Sequence, residues 1–208
     1  MGRSFDTRLL TPVSRQKNRP HYRDKRNVPT YPCIYYTKSL FVYFMSKLPY
    51  PYTITREMTN VPPNAYALVN GGKTYPDISG IVKFYSTPYK GLILYAEFFH
   101  LPLYTPANIP SFYGFHIHEV GNCSNNFANT GGHYNPKKQL HPNHAGDLPP
   151  ITSCDGYSWM CVYIQQLRLE DVIGRSVIVH GHADDFTTQP SGNSGEKIAC
   201  GIVEAWTL

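Results

Sequence analysis

Residues 114–147 read GFHIHEVGNCSNNFANTGGHYNPKKQLHPNHAGD. His116 and His118 alternate with Phe115 and Ile117. On a strand, alternate residues share a face. The pattern therefore predicts a strand with two imidazoles on one side and two apolar side chains turned into a core. His133, His141, His144 and Asp147 follow in a polar stretch rich in Gly and Pro. Of the nine histidines in the chain, five fall in this segment. His180 and His182 fall in a second apolar stretch, VIVHGHADD. A lone His-x-His in a strand is ordinarily an exposed polar face. Four further ligand-type residues at tight spacing point instead to a metal site, and imidazoles with one carboxylate suit zinc or copper.

The flanking sequence sets the fold class. AYALVNGG from Ala65 reads as a short strand and turn. In ISGIVKFYS, Ile81, Lys83 and Tyr85 alternate with Val82, Phe84 and Ser86, the pattern of a half-buried strand. GLILYAEFFHLP follows, with Tyr89-Lys90-Gly91 as a hairpin connection. LYTPANIPS is a proline-rich loop. Beyond the histidine segment come YSWMCVYIQQL, with Trp159, Cys161 and Tyr163 on one face, then GRSVIVHGHA and IACGIVEAW. With 18 Pro, 16 Gly and no long helical periodicity, the chain reads as all-β. Short strands joined by long loops predict a Greek-key β-sandwich or flattened barrel of about eight antiparallel strands.

The net charge of +5 hides an asymmetry. Residues 1–48 hold ten Lys/Arg and two acids, whereas the remainder holds nine and twelve. The basic character belongs to an N-terminal arm, and a solvated tail is the plainer reading of it than a nucleic-acid-binding one. We expect two regions: a basic, aromatic-containing, poorly ordered extension over 1–60 and a globular domain over 61–208. PCIYYTKSLFVYFMSKLPYPY, residues 32–52, has an uninterrupted apolar core of only seven residues, flanked by Lys38 and Lys47. No small-residue cleavage site follows, which disfavours a signal peptide and favours a cytoplasmic over a secreted or surface location. Initiation at Met45 is a further reading of the same region. No apolar run reaches the length of a membrane-spanning helix. Five cysteines, Cys33, Cys123, Cys154, Cys161 and Cys200, rule out complete pairing within one chain but not a single disulfide.

The motifs resemble those of the copper/zinc superoxide dismutases. GFHIHEVGNC is similar to that family's first copper motif, GGHYNP to the segment with its bridging histidine, and HAGDLPP to the end of its zinc loop. GRSVIVHGHADD and GNSGEKIACG resemble the two later signatures. The likeness runs from about Ala65 to Trp206. It implies copper on His116, His118, His133 and His180, and zinc on His133, His141, His144 and Asp147, with His133 bridging through both ring nitrogens. Asp184 would link a histidine of the copper set to one of the zinc set. His182 has no matching role. Cys123 and Cys200 would form the disulfide, leaving Cys154 and Cys161 free, the latter as a small buried hydrophobe on its strand. Lys197 stands where the family usually carries arginine, at the mouth of the copper channel, and would attract an anionic substrate. The implied activity is dismutation of superoxide to dioxygen and hydrogen peroxide, with copper carrying electrons and His133 a proton. A metal-binding relative with little turnover is the alternative. A homodimer is among the assemblies the resemblance allows, and no nucleic-acid partner is expected.

Overall fold

Alternation is clearest in the first strand, where Ala65, Ala67 and Val69 are buried while Leu68 and Asn70 are exposed. The computed structural model describes residues 61–103 and 111–207. The extension expected over 1–60 and most of the proline-rich loop after Leu103 lie outside the described residues. Ten strands occur among the described residues: β1 (Ala65–Gly71), β2 (Ser79–Ser86), β3 (Leu92–Phe99), β4 (Ser111–Tyr113), β5 (Phe115–His118), β6 (Ile151–Ser153), β7 (Ser158–Ile164), β8 (Ser176–His180), β9 (Lys197–Ile202) and β10 (Glu204–Ala205). One α-helical turn, α1, spans Leu169–Val172, and a 3-10 turn spans Ala128–Thr130. In β2, Val82 and Phe84 are buried while Ile81 and Lys83 are half-buried, as the alternation requires, but at the strand's end Tyr85 is buried and Ser86 exposed. Gly91 closes the β2–β3 hairpin at φ 104°, a conformation that side chains with a Cβ rarely adopt.

Eight strands form one antiparallel sheet in the order β5-β8-β9-β1-β2-β3-β7, with β10 on β1, and β4 and β6 form a separate pair. The chain leaves β3 for β5 at the far end of this order, returns to β7 beside β3, and crosses again to β8 beside β5. These crossovers curl the sheet into a half-barrel of the sandwich class that the sequence predicts. Phe98 of β3 and Phe115 of β5, distant in the sheet order, meet edge to face with centroids 5.7 Å apart. The curled sheet therefore packs on itself around one core, with Val82, Phe84, Leu94, Phe98, Phe115, Ile117, Val177 and Val179 all fully buried in it.

All four residues of β5 are buried, because the loop carrying His133 to Asp147 covers its histidine face. One expectation changes. Trp159, Cys161 and Tyr163 do share a face of β7, but it is the outer one: Trp159 is 54% and Tyr163 51% exposed. Cys161 is half-buried there rather than a core residue, and Cys154 is exposed; both are free thiols. What burial Cys161 has pushes its thiol pKa up.

Candidate metal centre

β5 supplies His116 and His118 at alternate positions, and β8 lies directly beside it, pairing His116 with Ile178. A register irregularity at Val179/His180 sets His180 opposite Lys197 of β9. Such a bulge re-aims a side chain at the end of a strand. The covering loop joins β5 through two isolated bridges, His118 to His133 and His116 to Asp147. The result is two groups of donor atoms, each within 4.8 Å of one another: His116, His118, His133 and His180, and His133, His141, His144 and Asp147. His133 belongs to both. Its ring stacks on that of His116 at 3.9 Å between centroids. His182 is exposed and belongs to neither group.

Hydrogen bonds fix which nitrogen of each ring faces its group. A carbonyl can only accept, so Nδ1 of His118 donates to Gly131 O at 3.0 Å and Nδ1 of His180 donates to Gly195 O at 3.2 Å. Nε2 of His116 donates to Asp184 Oδ2 at 2.8 Å, and Nε2 of His141 to Asp184 Oδ1 at 2.9 Å. Asp184 thus ties a histidine of the first group to one of the second. Its own pKa is opposed by burial, but the hydrogen bonds from His116, the Phe186 amide and His141 hold it well below the carboxylate range. At Asp147 burial is the largest single influence and acts to raise the pKa, but the hydrogen bonds from His133 and the His144 amide together bring it below the usual value.

The donor sets fit metal ions. Four buried ring nitrogens have no hydrogen-bond partner: Nδ1 of His116, Nε2 of His133, and Nδ1 of His141 and of His144. The last two lie 3.1 and 3.3 Å from Asp147 oxygens without forming hydrogen bonds. With both Nδ1 atoms committed to carbonyls, the Nε2 atoms of His118 and His180 present lone pairs to each other at 3.3 Å. Buried polar atoms are normally satisfied, and a cation between such lone pairs relieves the mismatch.

Burial lowers the pKa of His116 to about 4, of His118 to about 2 and of His180 to about 3. All three are therefore neutral at pH 7, the protonation state a metal requires. The consequence for the metal-free protein has a definite sign. An unfolded histidine takes a proton near pH 6.5. Below that pH the unfolded chain binds more protons than the native one, so stability is greatest above about pH 6.5 and falls as pH drops towards the native values. Urea midpoints of metal-free protein are expected to decline steadily from pH 7 to pH 4. A midpoint flat across that range would show that these rings are not held neutral.

Lys197 sits at the start of β9, and its ammonium is engaged by three acceptors: Thr130 Oγ1 at 2.7 Å, Gly131 O at 3.0 Å and Phe127 O at 3.4 Å. Burial lowers its pKa. An ammonium has three donors, so none remains over for another ligand in this arrangement. Cys123 and Cys200 form a disulfide with Cα atoms 5.8 Å apart, fastening the loop that ends in this acceptor cluster to β9. Several contributors escape a reading of side-chain motifs. Gly131 and Gly195 act through carbonyls. Gln189 holds both the N–H and the carbonyl of His141. Gly192, at φ 64°, leaves no room for a Cβ against Asp184 and His141. The Gly-rich run GNSG was the one available signal for close backbone approach.

The fold and this pair of histidine groups define a class, and the comparisons agree. A family model described as copper/zinc superoxide dismutase (SODC) matches residues 78–203. "Superoxide dismutase [Cu-Zn] 4" of Dictyostelium discoideum is 38% identical over 107 residues, covering 44% of this chain and 71% of that protein. Among solved structures, the clock protein EA4 superposes with a TM-score of 0.59 at 30% identity, over 70% of this chain and 97% of that one. A SOD-like protein from Bacillus subtilis superposes with a TM-score of 0.54 at 28% identity, over 65% and 95%. The chain belongs to the copper/zinc superoxide dismutase family. No helix among the described residues is long and apolar enough to cross a membrane.

Proposed function

We propose that the protein dismutates superoxide, converting two superoxide anions and two protons into dioxygen and hydrogen peroxide. Copper would be held by His116, His118, His133 and His180, and zinc by His133, His141, His144 and Asp147. The observation that carries this reading is the meeting of two donor sets, one buried and one partly buried, at one imidazole. Bound copper supplies one-electron redox chemistry, whereas zinc keeps a single oxidation state and a closed, structural shell. The chain's own residues do the rest. Gly131 O, Gly195 O and Asp184 hold His118, His180 and His116 in single tautomers. Asp147 and the second group hold His133 in place, and its Nε2 is the atom at which a proton is kept and delivered to the reduced substrate. Metal analysis of purified protein beside its rate of superoxide consumption tests the proposal. One copper and one zinc per chain with a background rate would favour the alternative, a metal-binding relative with little turnover.

Lys197 supplies the positive charge beside the first group, and its effect on a small anion is Coulombic because its donors are engaged. Steering of this kind changes association rates by about tenfold or more and weakens with salt. Lys197→Ala is expected to lower the rate and flatten its decline with ionic strength. Lys197→Glu should lower it further and can reverse the salt slope. Lys197→Arg should preserve or raise the rate, since a guanidinium has donors to spare after satisfying the loop. Metal content should stay the same in all three. A Lys197→Glu variant matching wild type in rate and salt slope would reduce Lys197 to a structural role.

A further inference from the structure

Arg175 lies just before β8, outside both donor groups, yet it reaches the chain beside each of them. Its Nη1 donates to Glu119 O at 2.7 Å, the carbonyl immediately after His118. Its Nε donates to Asp171 O at 2.7 Å. Its guanidinium carbon stands 3.7 Å from the ring centroid of Tyr134, the residue immediately after His133. The Tyr134 hydroxyl in turn donates to Asp171 Oδ1 at 2.9 Å, and Asp171 Oδ2 accepts from the Arg168 amide at 2.9 Å.

The backbone of Tyr134 occupies the junction of three of the segments that carry donor residues: those around Ile117, His133 and Asp147. Its N–H donates to Ile117 O, between His116 and His118, at 2.8 Å. Its carbonyl accepts from the N–H of Gly146, the residue before Asp147, at 2.8 Å. Ile117 N–H closes the triangle onto Gly146 O at 2.9 Å. Gly146 has no room for a Cβ against Ile117 O and Tyr134 N, so the three backbones touch directly. A shift of Tyr134 therefore moves His133 relative to β5 and to Asp147 together.

A cation over an aromatic ring at a surface is commonly an isolated contact of small effect. Here the ring belongs to the junction residue, and the cation is also bound to two carbonyls, one beside a ligand histidine. We propose that Arg175 is a positioning residue: with Asp171 it clamps Tyr134 and so sets His133 between the two donor groups. The clamp stands on these contacts alone; its relevance to turnover rests on the metal reading above.

The test uses the full chain with its disulfide intact. Arg175→Gln removes the stack and both hydrogen bonds, and Arg175→Lys keeps the charge while losing the planar fork. Lys83→Ala is the control, because Lys83 lies 5.2 Å over Tyr95 on the outer face, a cation–aromatic contact remote from the site. In metal-free protein, Arg175→Gln is expected to speed exchange of the Tyr134 and Gly146 amides by about tenfold, with Arg175→Lys between it and wild type, while amides of β8 keep their protection. Lys83→Ala should leave all of these amides as in wild type. After addition of Co(II), which reports the geometry of a three-nitrogen, one-oxygen group through its visible spectrum, Arg175→Gln should shift the spectrum and Lys83→Ala should not. Wild-type exchange at Tyr134 and Gly146 in Arg175→Gln overturns the clamp, and so does equal acceleration by Lys83→Ala. Failure of wild type itself to take up cobalt would sink the metal reading, while the exchange rates would still decide the clamp.

Discussion

Replacing His133 by alanine is expected to empty both donor groups and abolish dismutation. The reason is arithmetic as well as geometric: two four-donor sites need eight contacts, and seven residues supply them only if His133 serves both. The substitution also removes the partner of Asp147 Oδ1, a 2.7 Å hydrogen bond in a partly buried setting. Loss of an outer hydrogen-bond partner alone weakens metal binding by about 10–100-fold, so loss of a shared ligand should exceed the upper end of that range for both ions. The exposed His182 provides the comparison, and His182→Ala should bind both metals as wild type does. Elemental analysis of the two variants after identical metal loading settles the matter. Normal copper in His133→Ala would sink the bridging assignment whatever happens to zinc.

Loss of the disulfide should be the second large effect. Cys123 and Cys200 close a loop with a sequence separation of 77. In chain-entropy models a loop of this size contributes about 4.5 kcal/mol by restricting the unfolded chain. For a domain of this size that corresponds to a fall of roughly 10 °C or more in Tm. Activity should fall before the fold is lost. The loop that Cys123 anchors ends at Thr130 and Gly131, which receive the Lys197 ammonium, and Gly131 O also orients His118. Cys123→Ser/Cys200→Ser protein, loaded with metal and assayed well below its Tm, should therefore show both a lower rate and a weaker salt dependence. A double variant with wild-type rate and an unchanged Tm would refute this account.

The strands that were legible in the sequence are those with alternation or a short apolar run over several residues: β1, β2, β3, β5, β7, β8 and β9. β4 and β6 were not, because three residues such as Ser111-Phe112-Tyr113 and Ile151-Thr152-Ser153 are too few for a period to emerge, and both abut proline-containing stretches. The four residues of α1 were invisible for the same reason. The residues of the two donor groups could be read because histidine and aspartate carry their chemistry in the side chain. The atoms that orient them could not, since Gly131 and Gly195 act through carbonyls that every residue possesses. Periodicity reports which side chains share a face and not what lies over it, so the loop that buries His116 and His118 left no local signal. Cys161 shows the same limit from the opposite direction. Arg175 stood in plain view in GRSVIVH, but its partners Glu119, Tyr134 and Asp171 come from three other segments that only the folded chain brings together.

The contacts that complete the first donor group span long stretches of chain. His118 and His180 are 62 residues apart, and His116 and Asp184 are 68. Contacts of such high sequence separation give a high contact order, and the entropy of closing the intervening chain must be met before they form. On the ribosome, β5 and the covering loop emerge well before β8, so the nascent chain holds the three-histidine, one-aspartate group entire while the four-histidine group still lacks His180. Domains complete their long-range pairing only when the last strands are available. The order of synthesis therefore lets the second group, zinc's under the proposed assignment, take up its ion early, while the first group must wait for β8 to dock beside β5.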